Sequence, residues 1–289
     1  MTSSVRDERL ITEATAAASI DDGMIVAIGE PHPMATVRHI IRRRVRDLTV
    51  IGSGFALDVL IAAGCVRKVI TYYAGGGYGV PVAPAFRRAA QSGAVEVWEC
   101  DEGILTSALE AAAKGLPFLP WRGGVGTSLP EVNCDLKIIN DPIRGEPLLA
   151  VPAISPDVAL LHAAESDVYG NVRHCGGPGW IDLFLRRAAL RTIVQVEKVI
   201  SNEQTRADPW ATTIGGGVDV VRMPYGAHPF YSRGFYLQDN PLVADYFRCA
   251  AAGGEKLERY LDTYCREPET HADYLENIGI KRLLGLYEY

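Results

Sequence analysis

Two carboxylates and an arginine bracket one predicted helix. Asp101 and Glu102 stand at its start, and Arg122 follows its end beside a glycine-rich turn. Within DEGILTSALEAAAKGLPFLPWRGGVGTSLP (101–130), Ile104, Leu105, Ala108, Leu109 and Ala112 fall at helical spacing, and Gly115 occupies the place of a left-handed cap. A carboxylate can pass a proton, and a fixed guanidinium can hold developing negative charge, so Glu102 and Arg122 are the candidate catalytic pair. Asp101 has a simpler duty: an acid at a helix start accepts from orphan N–H groups and complements the dipole. The apolar LPFLPW before Arg122 predicts an extended, partly buried backbone, and a partly buried arginine usually holds an anion.

Short runs rich in Val and Ile must position this helix. MIVAI (24–28) leads through Pro33 to a helix in which Met34, Val37 and Ile41 share a face. LTVI (48–51) leads through GSG to ALDVLIAAG, VITYY (69–73) through GGGYG to APAFRRAA, and VEVWE (95–99) into the helix at 103–114. LLAVPA (148–153), DVALLHA (157–163) and TIVQVEKV (192–199) follow. Strands apolar on both faces and alternating with helices predict an α/β fold with an open, mainly parallel sheet covered by helices on both sides. Residues 200–240 read as long ordered loops, and a mostly helical tail is expected from about 241, all within a single domain spanning 1–289.

Ligands of such sheets sit beyond the carboxyl ends of the strands. The loops there nominate substrate-binding residues: Gly29, Glu30 and His32 in GEPHP (29–33), Gly75, Gly76 and Gly77 in AGGGYG (74–79), Gly124 beside Arg122, and Asn171 at the end of HAAESDVYGN (162–171). Successive glycines let a ligand approach the backbone closely. Several familiar chemistries lack their motifs. GSG (52–54) has Leu57 where a dinucleotide fingerprint needs glycine, and AGGGYG lacks the Lys-Ser/Thr ending of a P-loop. There is no G-x-S-x-G elbow and no H-x-x-x-H spacing, so neither a hydrolase serine of that type nor a metal site is expected. His162, at the end of an apolar run, reads as a satisfied strand-end histidine.

The net charge of −6 disfavours nucleic acid, and the short basic run RRRVR (42–46) reads as the solvated face of a helix. Six scattered cysteines without a C-x-x-C pair fit neither a zinc site nor a disulfide framework. The polar start MTSSVRDERL and the lack of a long apolar run predict a cytoplasmic protein with no membrane contact.

Many blocks along the chain resemble, in order, the α subunits of class I CoA-transferases, the glutaconate CoA-transferase type in particular. They include DGMIVAIG (22–29), PMATVRHIIRRRVRDLTVIGSG (33–54), AGCVRKVITYYAGG (63–76), APAFRRAAQSGAVEVWECDEGIL (83–105), GLPFLPWRGGVGTSLP (115–130), DPIRGEPLLAVPAISPDVALLHAAESDVYGNV (141–172) and PYGAHPFYSRGFY (224–236). The resemblance implies a fold of the NagB/RpiA/CoA-transferase superfamily and a homologous β subunit in an αβ or α2β2 assembly. It also implies an acyl-CoA substrate, with coenzyme A entering as part of that substrate and no tightly bound cofactor. In that family the nucleophile is a β-subunit glutamate within Ser-Glu-Asn-Gly; this chain offers only LENIG (275–279), in the tail.

One departure matters. The α-subunit signature G-G-F-x-x-x-G-x-P is reduced here to GEPHP. The chain also resembles, at DEG and at the arginine-glycine turn, the α subunit of a hydrolase that opens a carbon ring in a CoA-linked diketone during steroid degradation. In that reading Glu102 activates water or relays a proton, and Arg122 stabilises an enolate or carboxylate. A third expectation, from a different class, is a non-enzymatic sensor of acyl-CoA or a sugar phosphate.

Overall fold

The structure, a computed structural model, describes residues 7–75 and 79–287. Its strands are β1 (Ile25–Ile28), β2 (Leu48–Ile51), β3 (Val66–Thr71), β4 (Glu96–Glu99), β5 (Phe118–Trp121), β6 (Lys137–Asn140), β7 (Pro147–Pro152), β8 (Val158–Ser166), β9 (Asn171–Arg173), β10 (Arg191–Val199), β11 (Ile214–Gly215) and β12 (Asp219–Arg222). The first helices are α1 (Glu13–Ala17), α2 (Met34–Arg42), α3 (Gly54–Ala62), α4 (Pro84–Ser92), α5 (Glu102–Ala113) and α6 (Leu129–Val132). They are followed by α7 (Asp182–Ala188), α8 (Asn202–Ala207), α9 (Asn240–Ala252), α10 (Gly254–Leu261), α11 (His271–Ile278) and α12 (Ile280–Leu284).

The central sheet is parallel along β12-β10-β8-β1-β2-β3-β4, and β9 and β11 extend it antiparallel beside the end of β8. From β1 the chain builds outward through β2, β3 and β4. It then returns to the other side of β1 to lay down β8, β10 and β12. The winding direction therefore reverses between β1 and β8, which is where loops part and leave a crevice.

Period-2 alternation divides the strand residues between two cores. Val26, Ile28, Val50 and Val69 pack under α2 and α3, whereas Ala27, Ile51 and Ile70 pack on the opposite face against α5 and α7. The tail closes the first of these cores: Leu242, Val243, Tyr246 and Phe247 of α9 and Tyr260 of α10 are buried in it. Tyr246 Oη donates to Asp58 Oδ2 of α3 at 2.8 Å. Burial pushes the Asp58 carboxyl up, against hydrogen bonds from Phe86 N–H and the Tyr246 hydroxyl that lower it.

Three readings of the sequence need correction. Residues 200–240 are not loops throughout, because β12 pairs in parallel with β10. Asp-Val-Val-Arg is too short and too polar at its ends to announce a strand. The segment from β5 to β7 forms a separate antiparallel sheet in the order β5-β7-β6. The basic run is not a helix face either: α2 stops at Arg42, Arg44 adopts φ 56°, and the side chains of Arg42 and Arg43 donate to the carbonyls of Glu269, Ala17 and Ile20. These arginines tie both chain ends to α2.

Candidate active site

A trench follows the carboxyl ends of the parallel strands. Its first compartment, a cavity of about 340 Å³, lies at the reversal between β1 and β8 and is walled by Glu30, Pro31, His162, His174, Trp180 and Ser232, among others. A second compartment of about 310 Å³ shares Glu30, Pro31 and Tyr231 with the first and adds His32, Ser53, Tyr72 and Gly75. A third, of about 350 Å³, shares Tyr72, Tyr73 and Gly75 with the second and reaches Glu99 and Cys100 at the end of β4. Shared walls make the three contiguous. The trench thus crosses the ends of β8, β1, β2, β3 and β4, and Asp101 and Glu102 follow directly on Cys100.

Glu30 is the hinge of this arrangement. Its Oε1 accepts from Ser53 Oγ at 2.6 Å and from Tyr72 Oη at 3.3 Å, and its backbone N–H donates to Asp182 Oδ1 at 3.0 Å. Tyr72 in turn packs edge-on against Trp180, with ring centroids 5.1 Å apart. Asp182, fully buried at the start of α7, also accepts from Gly179 N–H at 3.1 Å. Burial pushes its carboxyl up to about 7, with Glu30 adding to the effect and the two N–H donors opposing it. His32 is buried against Phe230; burial lowers its pKa, although Glu30 pulls the other way.

His174 is fixed by its neighbours. Its Nδ1 lies 2.6 Å from Thr213 Oγ1, a hydroxyl that also reaches Val172 O at 3.1 Å. Nε2 lies 3.9 Å from Asp182 Oδ2 and has no hydrogen-bond partner among the described residues. Burial, helped by nearby His162, holds the His174 pKa down to about 4, so the ring is neutral at physiological pH.

The remaining residues nominated from sequence take varied places. Glu102 is the exposed first residue of α5, and Asp101 caps that helix through Ile104 N–H at 2.7 Å. Arg122 does not have the partly buried setting expected of it: its side chain is 66% exposed and pairs with Glu146 at the surface. The cause is that β5 is an edge strand whose residues Phe118 and Trp121 are themselves exposed. Glu102 and Arg122 do share a rim, because the Trp121 ring lies against Gly103; a Cβ on Gly103 would come within 2.6 Å of it.

Gly29 faces Asp182, not the trench, and a Cβ there would overlap the Asp182 carboxylate. Gly124, at φ 81°, backs onto Leu149 of the small sheet. Asn171 turns inward as well: its Nδ2 donates to Asp167 Oδ2 at 2.6 Å within the β8–β9 turn. Gly75 does line the trench, whereas Gly76 and Gly77 lie outside the described residues. Ser53, Tyr72, His174, Trp180, Asp182 and Ser232 were not nominated from sequence. No spacing motif joins them, since the fold gathers them from separate loops.

Among the described residues, no group of three or more His, Cys, Asp or Glu side chains is arranged to hold a metal ion, and no helix is long and apolar enough to cross a membrane.

Comparison with known proteins accounts for the fold. The Coenzyme A transferase family model matches residues 11–218. The chain belongs to the CoA-transferase family. The α subunit of glutaconate CoA-transferase from Acidaminococcus fermentans is 33% identical over 295 residues, covering 92% of this chain and 90% of that one. The solved structure of that enzyme superposes with a TM-score of 0.90 at 31% identity, over 97% of this chain and 96% of that chain. The cholesterol ring-cleaving hydrolase IpdA subunit of Mycobacterium tuberculosis is 35% identical over 288 residues, 92% of this chain and 97% of its own. An uncharacterized protein of Archaeoglobus fulgidus is 36% identical over 282 residues, and the match spans 94% of this chain and 62% of that protein. This CoA-transferase-family chain is therefore of the α-subunit type along nearly its whole length.

Proposed function

We propose that this chain is the α subunit of an enzyme that transfers coenzyme A between carboxylic acids, acting on acyl-CoA thioesters at an interface with a homologous β subunit. The observation that supports the reading is the contiguous trench across five strand ends. Glu102 stands exposed two residues past Cys100, at the end of the trench wall, and Arg122 stands exposed beside the edge strand packed on α5. An extended thioester suits a trench better than a closed pocket. Exposed catalytic groups gain the desolvation that makes them effective only when a second surface covers them. The tail sequence LENIG, with Glu276 exposed on α11, lies apart from the trench-lining residues, and the reading assigns the nucleophilic glutamate of transferase chemistry to the partner.

The test is a chemical trap. A transferase passes through a glutamyl-CoA thioester, in which the carboxylate takes CoA from the donor and releases the acid. Borohydride or hydroxylamine applied with acyl-CoA to the co-expressed pair should inactivate it, and the modification should map to the partner chain. Modification of this chain, at Glu30 or Glu102, or of neither chain, would overturn the transferase reading.

A second reading has its own support. The shortened GEPHP turn sets a carboxylate, Glu30, in the wall shared by two compartments, and the ring-cleaving hydrolase subunit matches along nearly the entire chain. In this reading the chain serves hydrolysis of a carbon–carbon bond in a CoA-linked cyclic diketone. Glu102 activates water, Arg122 holds the enolate, and the thioester remains intact as a handle. Absence of any trapped adduct, together with CoA retained on a ring-opened product, selects it. The sensor reading finds no support among relatives named as enzyme subunits.

A further inference from the structure

The first compartment contains a directed hydrogen-bond chain that the proposed chemistry has not used. Gln195 is fully buried, and its Oε1 accepts from the backbone N–H of Thr36 at 3.3 Å and from the Thr36 hydroxyl at 3.1 Å. A backbone N–H can only donate, so the orientation of the Gln195 amide is settled. Its NH₂ group must then donate to His162 Nδ1, 2.9 Å away. A neutral imidazole that accepts at Nδ1 carries its proton on Nε2. That Nε2–H faces Ser232 Oγ at 2.9 Å and Glu197 Oε1 at 3.2 Å.

The direction of the chain decides what Ser232 can do. Because His162 Nε2 holds a proton, it cannot accept one from Ser232. Glu197, which also accepts from Tyr236 Oη at 2.7 Å and Tyr225 N–H at 2.6 Å, shares the imidazole N–H with Ser232, whose oxygen is the nearer of the two. The Ser232 side chain is buried and lines the first compartment beside Glu30. Its oxygen accepts from the imidazole N–H, so its own O–H is not spent on His162 and is available to an acceptor placed in that cavity.

We propose that Ser232 donates a hydrogen bond to a carbonyl oxygen of the acyl thioester, with Thr36, Gln195 and His162 fixing the direction of that donation. The inference rests on the acyl-CoA reading above and assigns a substrate contact within it. A carbonyl is the matching group because it accepts without offering a proton. It also gains negative charge when its carbon is attacked, so a donor already aimed at it strengthens as the reaction proceeds. Ser232 is thus a polarising residue, and His162 and Gln195 are positioning residues behind it.

Carbonyl stretching reads this contact directly. The probe is butyryl-CoA carrying ¹³C at the thioester carbonyl, bound to the co-expressed complex and followed by isotope-edited infrared difference spectroscopy. The bound carbonyl should shift to lower frequency in the wild type. The shift should be lost in Ser232→Ala and recovered in Ser232→Thr, which restores a hydroxyl. In the co-expressed complex, Ser232→Ala should lower kcat on the order of 10²-fold with a smaller change in KM. An unchanged carbonyl shift in a folded Ser232→Ala protein overturns the inference while leaving the acyl-CoA reading standing. Failure of the wild-type co-expressed complex to bind the thioester overturns that reading, and this inference with it.

Discussion

The carboxylate of Asp182 passes over the bare Cα of Gly29 to receive the backbone N–H of Glu30 at 3.0 Å. Strand β1 and helix α7, far apart in sequence, are thereby joined beside the wall that two compartments share. A methyl group on residue 29 would occupy the space of the carboxylate. Gly29→Ala should therefore destabilise the chain by about 1–3 kcal/mol, the usual cost of overpacking a buried contact. Urea unfolding measures it, and an unchanged midpoint would mean that Asp182 is free to move aside.

Asp182 also predicts a pH dependence of stability. Its folded pKa, about 7, lies above the unfolded carboxylate value, so between roughly pH 4 and 7 the native chain keeps a proton that the unfolded chain has lost. Its contribution is therefore favourable at low pH, falls as pH rises through this window, and is level above it. At about 1.4 kcal/mol per pKa unit, the whole change is on the order of 4 kcal/mol. Melting curves of wild type and Asp182→Asn from pH 4 to 8 should converge or cross as pH rises. Parallel curves would contradict the assignment.

The sheet was legible because Val26, Val50 and Val69 sit in runs apolar on both faces, the pattern a covered parallel strand requires. Asp101 was legible as a cap for the same local reason. The crevice at β1 and β8 was not. His174 and Ser232 reach it from two separate connections, with Asp182 of α7 behind its wall, and nothing in their spacing records the strand reversal that brings them together. Arg122 misled because LPFLPW is apolar yet forms an edge strand, where apolar side chains remain in view of solvent. Gly29 misled differently: its small size serves a packed carboxylate.

Glu102→Gln keeps the shape and removes the charge. If Glu102 serves the reaction, turnover of the assembled enzyme should fall on the order of 10²-fold or more. Stability should barely change, because the helix cap is Asp101, which is left in place. Steady-state kinetics on a folded variant decide this, and wild-type turnover would reduce Glu102 to a helix-start acid.

Asp239 anchors the tail. Its buried carboxylate receives Arg282 Nη2 at 2.7 Å and contacts His228 Nε2 at 3.2 Å. Burial alone would raise its pKa, but hydrogen bonds from His228 and Arg282 outweigh that and hold it well below the usual carboxylate range. Its stabilisation is thus complete above about pH 4 and is lost as acid protonates the folded carboxylate. Asp239→Ala, which leaves the Arg282 charge and the buried His228 unmatched, should cost about 3 kcal/mol at neutral pH and flatten the acid limb of the stability profile. Chemical denaturation at pH 7 and pH 3 would show both effects, and an equal loss at the two values would rule out the carboxylate as the cause.

The edge-on pair of Trp180 and Tyr72 has a practical consequence. Of the four tryptophans, Trp180 alone lines the first compartment, while Trp98 is buried and tied to Asp135 through Nε1 at 3.0 Å. An indole half open to water, beside a carboxylate and a phenol, emits light whose colour and intensity follow its surroundings. Filling the trench displaces water from that ring, against a background from buried Trp98, edge-strand Trp121 and the exposed Trp210. Occupancy can thus be followed in the unlabelled chain by intrinsic fluorescence, in real time and before any turnover takes place.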